Sequence, residues 1–81
     1  MNIEVILNDI FIQRAGIDFI TFEELQKESL FGSKLGIPVR ELILIFFDIE
    51  NIFNILISEN EINDNSFYTY ERLLNIIYEQ K

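Results

Sequence analysis

Eighty-one residues are enough for one small domain, and 49% hydrophobic content, with 8 Phe, 3 Tyr and 16 Ile, excludes a disordered segment and supplies one core. The absence of Cys and His removes disulfides, thiolate zinc sites, a cysteine nucleophile and the commonest general base. Fourteen acidic against 6 basic residues give a net charge of -8, the wrong sign for phosphates or an anionic membrane, so neither nucleic acid nor membrane is an expected partner. The opening MNIEVILND has no basic n-region, and no run of about 18 apolar residues follows, so the expected location is cytoplasmic.

Residues 2 to 15 place Ile3, Ile6, Leu7, Ile10 and Phe11 at spacings of three and four, the stripe of a first helix, with Gly16 suited to a left-handed cap. Thr21 and Glu24 have the spacing of a capping box, with Ile20 and Leu25 as the hydrophobic staple. That pattern predicts a short helix from about Phe22 to Ser29. The stretch from Leu30 to Ile37, with two glycines, reads as a loop, and Pro38 suits the first turn of the next helix.

From Pro38 to Phe53 the chain is most apolar, yet its residues still divide into sides at about 100° per residue. Leu42, Ile45, Phe46, Ile49, Ile52 and Phe53 form the expected core face. Arg40, Leu44, Phe47, Asp48 and Asn51 fall opposite, with Ile43 at the margin. Large apolar groups set among charges either anchor a partner or pack beneath the connection at 17–37.

Ser58 and Glu61 repeat the capping-box spacing, with Ile57 and Ile62 as staple. Thr69 is placed to cap a last helix from Tyr70, in which Leu73, Leu74, Ile76 and Ile77 form the buried stripe and Tyr78 closes it. Glu59, Glu61 and Asp64 are the nearest approach to a carboxylate or metal cluster. They lie in one short polar stretch without EF-hand spacing, which reads as a solvated capping segment, so neither catalysis nor a metal is expected.

The order of elements and the residues at 31–77 resemble the acyl carrier protein family. Phe31 stands four residues before Leu35-Gly36, and IENIFNILIS at Ile49 to Ser58 is similar to the acidic-Phe-isoleucine end of the family's central helix. After an insertion of two residues, Phe67, Thr69, Tyr70, Leu73, Leu74 and Ile77 fall on the family's last-helix pattern. The resemblance implies an all-α, acyl-carrier-protein-like antiparallel bundle of three main helices plus one or two short ones.

In the same register the family's Asp-Ser-Leu attachment motif falls on Pro38-Val39-Arg40. Valine has no oxygen for the phosphodiester to 4'-phosphopantetheine, so no cofactor is expected. Ser29, in the look-alike string Glu28-Ser29-Leu30, and Ser33, flanked by glycines, are the fallback attachment sites. A carrier frame without its serine resembles the acyl-carrier-related proteins of peptide-maturation systems. That resemblance implies a non-enzymatic module, monomeric or weakly dimeric, on whose central helix a biosynthetic or modifying enzyme docks. Arg40, Glu41, Ile43, Leu44, Phe47, Asp48 and Glu50 are the expected docking residues. The alternative is a true covalent carrier modified at a non-standard serine such as Ser33.

Overall fold

The computed structural model describes residues 2–57 and 69–80, which form three α-helices and one short 3-10 helix, with no strand among them. Helix α1 spans Ile3–Ala15. The Asn2 side chain accepts the Val5 amide at 3.2 Å, and Gly16 ends the helix at φ 69°, its N–H donating to the Ile12 carbonyl. That is the left-handed cap the sequence predicts, at a position where a Cβ would be strained.

The connection departs from expectation at its start. Thr21 does not cap a helix, because its hydroxyl and amide both turn back to Asp18, at 2.9 and 3.0 Å. Without that cap only a 3-10 helix forms, Glu23–Lys27, and Phe22 at its head supplies no side-chain bond. Ile20 is exposed, so the staple with Leu25 is not formed either. What anchors this stretch is Asn8, a buried polar residue on α1. Its Oδ1 accepts the Phe19 amide at 2.7 Å, and its Nδ2 donates to Asp18 at 2.9 Å. Phe19 is thereby held in the core, where its ring stacks on Tyr70 at 4.5 Å and meets Phe11 edge-on at 5.0 Å.

Helix α2, Val39–Phe53, starts one residue later than the sequence suggests: Pro38 is the N-cap with extended ψ of 140°, and it gives no capping bond. Leu42, Ile45, Phe46, Ile49 and Phe53 are buried as predicted. Ile52 is 52% exposed, which corrects its assignment to the core. The reason is geometric, for Ile52 lines the groove where α1 and α2 meet, beside Ile6, Ile10 and the Arg14–Asp48 ion pair.

Asn54 ends α2 in the left-handed region at φ 55°, and Glu50 fastens the chain that follows. The Glu50 carbonyl accepts the Ile55 amide and its carboxylate accepts the Ile57 amide, at 3.2 and 3.0 Å. Ile55 and Ile57 are buried on either side of the exposed Leu56, whose backbone N–H and C=O both bond the Gln80 side-chain amide.

Helix α3, Tyr70–Gln80, is capped by the Thr69 hydroxyl, which accepts the Arg72 amide at 3.1 Å. Leu73, Leu74, Ile76 and Ile77 face the core as expected. Tyr78 does not close the stripe: it is exposed at a shallow cleft beside Asn2, Ile3 and Glu4. Tyr70 takes the deep position instead, its hydroxyl donating to the Glu4 carbonyl at 2.9 Å. The Ser58–Glu61 capping box, Ile62, Phe67 and the acidic residues Glu59, Glu61 and Asp64 lie outside the described residues. Among the described residues no helix is long and apolar enough to cross a membrane.

Candidate functional site: the outer face of the second helix

With Leu42, Ile45, Ile49 and Phe53 turned inward, α2 must present its remaining residues to solvent or to the 17–37 connection. That connection sends Phe19, Leu30 and Ile37 into the core and lays Phe31 against Phe46, ring centroids 6.4 Å apart. It leaves the apolar stripe of the outer face largely open. Val39, Ile43 and Phe47, spaced by four and so aligned along the helix, are 59%, 49% and 56% exposed. Leu44 beside them is half-buried.

The charged residues expected on this face divide into two kinds. Asp48 is joined to Arg14 of α1 by a two-pronged ion pair, Nε to Oδ2 at 2.6 Å and Nη2 to Oδ1 at 3.3 Å. That bond to Asp48 raises the Arg14 pKa against the opposing effect of desolvation, and it ties α1 to α2. Glu50 holds the segment after the helix through Ile57. Both carboxylates therefore serve the fold. Arg40 is exposed in the first turn and Glu41 is half-buried.

Val39, the position where the resemblance would put an attachment serine, is the first residue of α2. The position is accessible, but the side chain is a hydrocarbon. Ser33 is exposed in the turn between Gly32 and Gly36, whereas Ser29 is half-buried and its carbonyl accepts the Gly32 amide. Among the described residues no three acidic side chains gather as they would around a metal ion.

Besides the contacts of Asp48 and Glu50, the Asn8–Asp18 clip, the Tyr70 hydroxyl and the Gln80 amide escape the sequence reading. Only the Asn8–Asp18 clip leaves a trace, a lone Asn in an apolar stripe and, ten residues on, the turn-forming Asp18-Phe19-Ile20-Thr21. No protein-family model, curated protein or solved structure matches the chain.

Proposed function

We propose that this protein is an acyl-carrier-like module without the attachment serine, acting as a non-covalent docking partner for an enzyme of a biosynthetic pathway of the peptide-maturation kind. The observation that carries the reading is the aligned exposure of Val39, Ile43 and Phe47 on the side of α2 away from the core. A domain gains nothing in stability from three large apolar groups in water, whereas an interface core is built from such groups rimmed by polar ones. The peptide-maturation context rests on the sequence resemblance at Leu30-Phe31-Gly32 and at Asp48 to Phe53.

A photoreactive side chain replacing Phe47 in the producing cells tests it. Cross-linking to a biosynthetic enzyme, absent when the same group replaces the exposed Glu79 on α3, is the expected result. Equal labelling from both positions, or none from position 47, contradicts the proposal.

The covalent reading retains one favourable observation, the exposure of Ser33. Incubation with a phosphopantetheinyl transferase and coenzyme A distinguishes it. A mass gain that Ser33→Ala abolishes would establish that reading, and an unchanged mass supports the non-covalent one.

A further inference from the structure

Of the two charges in the first turn of helix α2, Glu41 follows the helix dipole and Arg40 opposes it. A helix N-terminus favours anions and its C-terminus cations, yet exposed Arg40 sits in the first turn and the last turn has no basic residue. Glu50 near the far end is explained in part by the Ile57 amide, which occupies Oε2. No contact within the described residues accounts for Arg40.

At about 100° per residue, Arg40, Ile43, Phe47 and Glu50 fall within an arc of about 80°. Their spacing of three, four and three is that of a packing seam between two helices. Along this seam the order is cation, apolar, apolar, anion. Reversed, it is its own complement: an antiparallel second copy sets Arg40 against Glu50, Ile43 against Phe47, and each again across the twofold axis. It also brings Arg40 beside the C-terminal end of the opposing helix, where a cation is favourable.

We infer that, when no enzyme is bound, this seam is occupied by a second copy of the chain, so that self-association and partner docking compete for one surface. The inference rests on the docking reading of the same face. A single-helix seam is smaller than the roughly 800 Å² per partner of a standard interface, and two chains of charge -8 repel. The dimer is therefore weak, with a dissociation constant on the order of 100 µM, and it tightens as salt screens the long-range repulsion. A membrane does not fit the net charge. A partner with a basic rim would meet Arg40 unfavourably.

Sedimentation velocity of the intact protein from about 10 µM to about 1 mM reads the association directly. The wild type should move from monomer to dimer across that range, and Phe47→Ser should remain monomeric. Arg40→Glu alone and Glu50→Lys alone should each weaken dimerisation about tenfold, because each places like charges together twice. An equimolar mixture of the two should regain association, since both contacts then join opposite charges. Glu50→Gln keeps an oxygen for the Ile57 amide and should weaken association less than Glu50→Lys, which guards against a folding defect.

A wild type that stays monomeric to about 1 mM, an Arg40→Glu chain that dimerises like the wild type, or a mixture without recovery overturns the inference. A monomer that still cross-links its enzyme at position 47 would overturn self-association alone and leave the docking proposal standing.

Discussion

Phe47 and Phe53 lie six residues apart on one helix, and the first is 56% exposed while the second is 1% exposed. Six residues turn a helix through about 600°, which sets the two rings on different sides. Phe53 joins α2 to the common core with Leu42, Ile45 and Ile49. Phe47 has no such role. The same residue type thus serves the fold at one position and is held out of it at the other.

Asn8→Ala should destabilise the domain by about 1 to 3 kcal/mol, because the buried Phe19 amide loses its acceptor in an apolar setting. Chemical denaturation monitored by helical circular dichroism measures this. An effect near zero would mean that the connection is held by apolar packing alone.

Three hydrogen bonds from Thr21 and Asn8, and a weaker one from the Ile20 amide, hold the Asp18 carboxyl down at about 2, against opposing desolvation. A carboxyl whose pKa falls on folding adds stability that is fully present above its unfolded value near 4 and is lost as pH drops through the folded value. Stability should therefore decline between about pH 4 and pH 2, with a smaller decline in Asp18→Asn. Equal acid slopes for the two proteins would contradict the assignment.

Burial, with the nearby Glu4 charge, pushes the Tyr70 phenol well above its usual range. For a group whose neutral form is favoured by folding, the contribution is intact below the unfolded value near 10 and is lost as pH rises beyond it. Tyr70→Phe should cost about 0.5 to 1.5 kcal/mol at neutral pH through the lost bond to Glu4, and should flatten the alkaline limb. A mutant with an unchanged alkaline limb would show that another group governs it.

The helices were legible wherever one face was apolar and one end carried a signal, as with Gly16 and Thr69. Errors cluster where two local solutions compete. Thr21 has the spacing of a helix cap, but Asp18, three residues before it, offers a tighter turn and takes its hydroxyl. Ile52 and Tyr78 have the right helical angle for burial and miss it because each lies at an open cleft beside α1, a fact of packing that no single periodicity contains. On the outer face of α2 the apolar stripe was legible from spacing. The internal duties of Asp48 and Glu50 were not, since both depend on segments distant in sequence.

Rebuilding the attachment motif probes the carrier resemblance. Pro38 caps α2 without a side-chain bond, so Pro38→Asp supplies a natural N-cap, and Val39→Ser with Arg40→Leu completes the motif at an exposed helix start. The triple variant should fold at least as well as the wild type and gain the mass of one phosphopantetheinyl group with transferase and coenzyme A. A well-folded variant that stays unmodified would count against the resemblance in this register.

Side-by-side denaturation of Phe47→Ser and Phe53→Ala tests most directly whether the apolar stripe on the outer face of α2 is free of structural duty. Phe53→Ala should cost about 3 to 5 kcal/mol, a large share of the stability of a domain this small, while Phe47→Ser should stay within about 0.5 kcal/mol of the wild type. Equal large losses would place Phe47 in the core and remove the surface on which the docking proposal stands.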